Sequence, residues 1–162
     1  FSAWFNPSLN SFGRIDASNT LSGATWSPST VTYTGNNRTH MVRIPDAGRF
    51  EVRHADGSAN PYLLQAGMLG LGLDGINNKR SPGKRLDINM YTQGHKLKRV
   101  KKLPKTLDKA LKLFKESNVA RNAFGSSVIS KYVKLKNREL KEYAKQSEDQ
   151  KSEWSRNNAI DC

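Results

Sequence analysis

Three short runs rich in β-branched residues lie close together in the first half of the chain: TVTYT (30–34), THMVRI (39–44) and RFEVRH (49–54), separated by GNNR and PDAG. Runs this short with turn-forming residues between them read as two or three antiparallel strands. From residue 61 onward the apolar residues recur at helical intervals instead. Strands first and helices afterwards is the order of an α+β fold, and no internal repeat interrupts it.

The helical part opens on ANPYLLQAGMLGLGLDGINNK, where Asn60 can cap and Pro61 can take the first helical position. Leu63, Leu64, Met68, Leu71 and Ile76 supply an apolar stripe, while Gly67, Gly70 and Gly72 each weaken a helix by roughly 1 kcal/mol. Glycines at that cost imply a buried helix over 61–80 whose backbone lies close against a neighbour. Residues 81–105 form a polar, basic loop containing Pro82 and Pro104. Over 106–162 the pattern predicts a helical tail. Thr106 can cap a helix bearing Leu107, Ala110, Leu111 and Phe114, and Gly125 is a helix stop. Ser127 then starts a long helix with Val128, Ile129, Tyr132, Val133, Leu140 and Tyr143 inward and lysines outward. The polar end from Gln146 is expected to fray, although Trp154 needs a contact.

With 162 residues the chain fits one domain. It contains no run of about twenty apolar residues and no export-signal pattern, so the expectation is a cytoplasmic protein without a membrane partner. Its one cysteine, Cys162, excludes an internal disulfide framework. It opens on FSAWFNP without an initiator Met, which suggests a fragment. Net charge is +13, the signature of a polyanion binder. The distribution alters that reading: all but five of the 27 basic and all but five of the 14 acidic residues follow residue 78, so the whole net charge lies there. KLKRVKKLPK can hold polyanions weakly by counterion release, but it lacks the interleaved aromatic platform of a nucleic-acid module. A solvated lysine face is the expectation, with a non-catalytic basic module that binds nucleic acid as the alternative.

The first 78 residues carry no lysine and only Arg14, Arg38, Arg43, Arg49 and Arg53 as cations. A guanidinium is always charged and makes planar, paired bonds to carboxylate or phosphate, so arginine without lysine suggests fixed anion-holders. Along RFEVRH, alternation places Arg49, Glu51 and Arg53 on one face and Phe50, Val52 and His54 on the other, which looks like core. Glu51 lies about 7 Å from each arginine along the strand. Two readings stay open there: a surface charge ladder, or a carboxylate that holds a divalent cation among anion-binding arginines. Arg38 and Arg43 are five apart, so either a bulge separates them or Arg38 belongs to the GNNR turn. His40, His54 and His95 have no metal-trio spacing and read as structural or exposed.

NPSLNSFGR, GNNRTHMVRIP, GRFEVRHADGSANPYLLQAGMLGLGLDGI and NKR, in this order and spacing, resemble the C-terminal half of the catalytic domain of the glutamine synthetases. The likeness is to the bacterial class-I-like branch called type III, some members of which join glutamate to methylamine. It runs with specific motifs over residues 6–91 and more loosely to the end. The resemblance implies strands and active-site loops over 1–60 and an ATP-dependent ligation of ammonia to the γ-carboxylate of glutamate through a γ-glutamyl phosphate, with Mg²⁺ or Mn²⁺ and ATP. Glutamate–methylamine ligation is the alternative. By position, it implies that Arg14 and Arg53 hold substrate glutamate, that Arg38 stabilises the transferring phosphoryl group, that Arg38, Arg43 and Arg49 face the ATP phosphates, and that Glu51 ligates the metal. It further implies a homo-oligomeric ring in the longer protein.

Three departures qualify the likeness. The family's flap glutamate corresponds to Trp26, in ATWSP, whose apolar bulk suits a methyl group better than a bare ammonium. Tyr91 falls where some members carry an adenylylated tyrosine; a structural tyrosine is the default reading. The other metal carboxylates, the metal histidine and the small N-terminal β-grasp domain have no counterpart in this chain, so the chain alone is expected to be inactive.

Overall fold

The computed structural model describes residues 1–15, 17 and 26–158. Two short helices open the chain, α1 (Ser2–Phe5) and α2 (Leu9–Gly13). Ser8 caps α2: its Oγ accepts the Ser11 amide at 3.1 Å, and the Ser8 amide donates to Ser11 Oγ at 3.3 Å. That reciprocal box satisfies donors that a helix start leaves unpaired.

Of the two or three strands expected, three form: β1 (Tyr33–Thr34), β2 (Val42–Asp46) and β3 (Arg49–Val52), in the sheet order β1-β2-β3. β2 and β3 form an antiparallel hairpin, with Gly48 at φ 78° in its turn, the left-handed conformation that glycine adopts without strain. The pairing of β1 with β2 is parallel, which corrects the expectation of antiparallel strands throughout. Its cause is the connection over 35–41, which is no tight turn but a loop wrapped around Asn37. Asn37 Oδ1 accepts from the Thr39 amide at 3.0 Å and from Thr39 Oγ at 2.9 Å, so the chain re-enters in the same direction. On its other side the segment ahead of β1 meets the basic loop, where Val31 N–H donates to Lys101 O and Leu103 N–H to Ser29 O, both at 2.8 Å.

Asn60 caps α3 (Pro61–Asn77) as its sequence predicts, its Oδ1 accepting from the Tyr62 and Leu63 amides at 3.0 and 3.1 Å. The expected burial of this helix is only half correct. Leu63, Leu64 and Met68 pack on the core, yet Gly67 alone among its residues is fully buried, while Tyr62 is 83% and Ile76 74% exposed. The helix is apolar all round, and the described fold supplies a wall for one side. The close-packing argument holds for Gly67 and Gly70, where an added Cβ would lie 2.9 Å from Phe5 and from Phe124 respectively; it does not hold for Gly72, which faces open space.

The basic loop carries α4 (Met90–Gln93) and a 3-10 turn (Gly94–Lys96). After it come α5 (Leu107–Glu116), α6 (Asn118–Phe124), α7 (Ser126–Ala144) and α8 (Glu148–Asn157). The core lies where α1 meets α5 and α7. Trp4 meets Phe114 at a tilt, 4.9 Å between ring centres, and Phe124 edge-on at 4.7 Å, and Leu107, Ala110, Leu111, Ile129 and Val133 close around them. Three expectations for the tail are corrected. Val128 is exposed where it was expected inward. Lys136 is buried rather than outward, its ammonium 3.0 Å from Glu139. The end does not fray at Gln146: Trp154 meets Tyr143 edge-on at 5.4 Å and so fastens α8 to α7. Among the described residues no helix is long and apolar enough to cross a membrane. Cys162 lies outside the described residues, as does part of the flap loop before Trp26.

Candidate functional site

The β2/β3 register sets Arg43 directly opposite Glu51. Arg43 Nη1 donates to Glu51 Oε2 at 2.8 Å, and Arg53 Nε forms an ion pair with Oε1 at 3.0 Å. Both oxygens of one carboxylate are thus taken by separate guanidiniums, and the Arg43 and Arg53 side chains are largely covered. Arg43 is held from behind by Asn36, whose Oδ1 accepts its Nε at 2.9 Å and also its Nη2.

The bracket expected from alternation was Arg49 and Arg53; the observed bracket is Arg43 and Arg53. The register shifts between Arg43 and Asp46, which brings Arg49 opposite Asp46 at the hairpin end. There Arg49 Nη2 donates to Asp46 Oδ2 at 2.9 Å, in solvent. A facing cross-strand neighbour lies nearer than a same-strand residue two positions away, so register decides the partner. The other face is also less core-like than predicted: His54 is buried and Val52 half-buried, but Phe50 is exposed.

Arg53 has a second anchor. Its guanidinium carbon lies 5.9 Å from the centre of the buried Trp26 ring, within cation–π range. Trp26 in turn meets Tyr91 edge-to-face at 4.8 Å and 85°. Arg53 Nη1 is buried and finds no acceptor among the described residues. Trp26, Tyr91, Thr39, His95 and Lys102 contribute to the wall of a cavity of about 450 Å³.

Arg38 sits in the GNNR turn, one of its two expected placements, and is exposed without an ion pair among the described residues. Its neighbours were not singled out as site residues, yet they tie this turn to α4. Asn37 Nδ2 donates to Ile88 O at 3.0 Å, His40 Nε2 donates to the same carbonyl at 2.8 Å, and the Met90 amide donates to Thr39 Oγ at 3.0 Å. The NNRTH string, with side-chain amides flanking an arginine in a turn, was the available signal. Arg14, the cap residue of α2, donates to Asp56 Oδ2 at 2.7 Å. Asp56 also accepts the amide and hydroxyl of Ser58 at 2.8 Å. Burial works to raise its carboxyl pKa, but the Ser58 and Arg14 donors outweigh it and hold the group below the usual value. His40 and His54 are buried and hydrogen-bonded, and His95 is exposed, as expected of structural or surface histidines.

The structure therefore gathers Arg43, Glu51, Arg53, Trp26 and Tyr91 into one connected set, places Arg49 at the hairpin end, and leaves Arg14 and Arg38 in their own local settings. Among the described residues no group of three or more His, Cys, Asp or Glu could hold a metal ion.

Comparison with known proteins places the chain in a family. The family profile described as "Glutamine synthetase, catalytic domain" matches residues 1–155. A glutamine synthetase of Rhizobium leguminosarum bv. phaseoli is 47% identical over 96% of the chain, and a glutamate–methylamine ligase of Methyloversatilis universalis is 36% identical over 88% of it. The chain spans about 35% and 33% of those relatives' lengths. A solved structure of GmaS in complex with ADP superposes with a TM-score of 0.82 at 46% identity, covering 99% of this chain and 36% of that one.

Proposed function

This chain belongs to the glutamine synthetase family through its catalytic domain, and from that premise we propose that the longer protein carrying it joins ammonia to the γ-carboxylate of L-glutamate at the expense of ATP. The carboxylate oxygen attacks the γ-phosphorus and ADP leaves; ammonia then attacks the γ-glutamyl carbon, phosphate leaves, and the amine proton goes to solvent or a nearby base. Such chemistry depends mainly on positioning and on neutralising charge.

The observation that carries this reading is Glu51 held between Arg43 and Arg53. An isolated carboxylate between two guanidiniums is pre-oriented, and the arginines keep further N–H groups for anions. The buried Arg53 Nη1 is the clearest of these. A buried donor without a partner costs about 1–3 kcal/mol, which a substrate carboxylate arriving there would recover. On this reading Arg53 and Arg14 hold the carboxylates of glutamate, with Arg14 aimed by Asp56. Arg38, without an ion pair among the described residues, meets the transferring phosphoryl group, and Arg43 and Arg49 face the nucleotide phosphates. Magnesium or manganese fits these residues only in part. A divalent cation takes about six ligands, whereas Glu51 offers one carboxylate, so the set would be completed by residues outside this chain. When bound, the ion would offset charge on the phosphoryl oxygens.

A second reading, with methylamine as the acceptor, is favoured by one observation: buried Trp26 lies against Arg53 at the flap position, an apolar wall beside the carboxylate site. Steady-state phosphate release by the full-length protein tests both. Release that requires ATP, glutamate and an amine together is expected, and ATP hydrolysis indifferent to glutamate would overturn the proposal. The ratio of kcat/KM for ammonia and methylamine identifies the acceptor. The same protein is expected to form a homo-oligomeric ring, which sedimentation velocity checks.

A further inference from the structure

We infer that Tyr91 is a positioning residue that acts on Arg53 through Trp26. The inference rests on the reading of Arg53 as a holder of the substrate carboxylate. Among the described residues, two neighbours fix the Arg53 guanidinium: Glu51, whose Oε1 lies 3.0 Å from Nε, and the Trp26 ring at 5.9 Å. A single ion-pair contact leaves a guanidinium free to swing about it. The ring beneath it removes this freedom and decides where Nη1 is aimed. Trp26 is held in turn by the perpendicular contact of Tyr91 at 4.8 Å, a geometry in which the positive edge of one ring meets the negative face of the other.

Tyr91 is itself fixed to the sheet side of the molecule and not merely draped over it. Asn89 caps its short helix, with the Tyr91 amide donating to Asn89 Oδ1 at 2.9 Å. The backbone on either side is tied to the 37–40 turn by the bonds from Asn37 and His40 to Ile88 O and from Met90 to Thr39 Oγ. A continuous path thus runs from the Arg38 turn through α4, Tyr91 and Trp26 to Arg53. Tyr91 keeps more than a third of its surface exposed, so it is no filler of the core, and among the described residues its ring–ring contact is with Trp26. What it supplies is the ring: the hydroxyl is dispensable in this role.

The test uses the full-length protein. Tyr91→Ala, and Tyr91→Leu as a bulk-preserving second variant, should raise KM for glutamate about tenfold while kcat and KM for ATP stay within about twofold; a tenfold loss corresponds to about 1.4 kcal/mol. Tyr91→Phe should match wild type. The Tyr91→Ala/Trp26→Ala double variant should be no worse than Trp26→Ala alone, since a shared path makes the effects non-additive. Fluorine NMR of 5-fluorotryptophan-labelled protein gives an activity-independent readout. The Trp26 resonance, assigned by its loss in Trp26→Phe, should move in Tyr91→Ala and in Arg53→Lys but not in Tyr91→Phe. An unmoved Trp26 signal in Tyr91→Ala, additive effects in the double variant, or equal losses in Tyr91→Phe and Tyr91→Ala would each overturn the inference. Absent turnover in the wild type would overturn the ligase reading instead, and the NMR comparison would still decide whether Tyr91 sets the position of Trp26.

Discussion

Arg43 and Glu51 face each other across the β2/β3 ladder, and the guanidinium of the first donates to the carboxylate of the second at 2.8 Å. Arg53 takes the other oxygen, so a single negative charge lies between two positive ones. Glu51→Gln keeps an acceptor for one arginine, removes the charge and places an NH₂ beside the other. Because the Glu51 side chain is 42% exposed, water shares in compensating the two arginines. The expected stability loss is therefore small, about 1 kcal/mol or less. Turnover of the full-length protein should fall by about a hundredfold or more, as expected for the loss of a positioned charge. Thermal melts and steady-state rates on one preparation separate the two effects, and unchanged turnover would remove Glu51 from the site.

Asp56 organises a different corner. Its carboxylate accepts from Arg14, from the Ser58 amide and from the Ser58 hydroxyl, and its own amide donates to Phe5 O at 2.8 Å, tying the post-strand turn to α1. In Asp56→Asn at least one of those donors meets an NH₂ group. Bonds to charged groups are worth about 1.5–3 kcal/mol each in covered settings, and partial exposure of the pair reduces this, so a net loss of about 1–2 kcal/mol is expected. Because the folded-state pKa lies below the unfolded one, the contribution of Asp56 is present above the unfolded value and disappears as pH falls through the folded value. Urea titrations of wild type and Asp56→Asn should therefore converge in strong acid. A gap that persists there would show that lost packing, and not charge, is responsible.

How far these arrangements could be read in the sequence depended on whether one segment or two decided them. Placing Glu51 and Arg53 on one face needed only the alternation of a single strand, and the structure bears it out. That Arg43, and not Arg49, completes the bracket depends on where β2 lies against β3, and a register shift within the hairpin is not written in either run alone. The parallel β1 was hidden for a similar reason: side-chain bonds at Asn37 turned an apparent hairpin connection into a wrap. Helical spacing identified Leu107, Ala110, Leu111 and Phe114 as core because the stripe is local to one helix. It misplaced Lys136, whose burial is made tolerable by Glu139 three residues on. The polar end of the chain hid α8, although Ser147 followed three residues later by Gln150 was a readable start signal, and Gln150 Oε1 accepts from the Ser147 hydroxyl at 3.0 Å. Its attachment through Trp154 and Tyr143 was a tertiary fact.

His54 gives the fold a dependence on pH. Burial is the main cause pushing its pKa down from 6.5 to about 4, and the positive charge of Arg14 adds to it. The folded state thus resists protonation that the unfolded chain accepts. Stability contributed by neutral His54 is complete above the unfolded pKa and declines as pH falls from about 6.5 towards 4, by an amount on the order of 3 kcal/mol at most. Denaturation midpoints at several pH values across this window should fall for wild type. His54→Gln should start lower, having lost the Asn6 and Ser2 contacts, but should show a flatter dependence. An equal slope in the variant would assign the effect to another group.

Two glycines of α3 predict opposite outcomes for the same substitution. At Gly67 a new Cβ would lie 2.9 Å from Phe5 Cε1, 3.3 Å from Phe1 Cδ1 and 3.4 Å from Trp4 Cε3. These rings are packed on one another and on Phe114, so none can retreat without opening the core. Alanine returns about 1 kcal/mol of helix propensity, but overpacking a filled core costs about 1–3 kcal/mol, and Gly67→Ala should be destabilising by about 1 kcal/mol on balance. At Gly72 nothing lies within 4 Å of the added atom, so only the propensity gain remains and Gly72→Ala should stabilise by about 1 kcal/mol. Urea denaturation of the two variants beside wild type reads the sign directly. If Gly67→Ala proved as stabilising as Gly72→Ala, the contact between α3 and the aromatic cluster of α1 would be looser than these distances require.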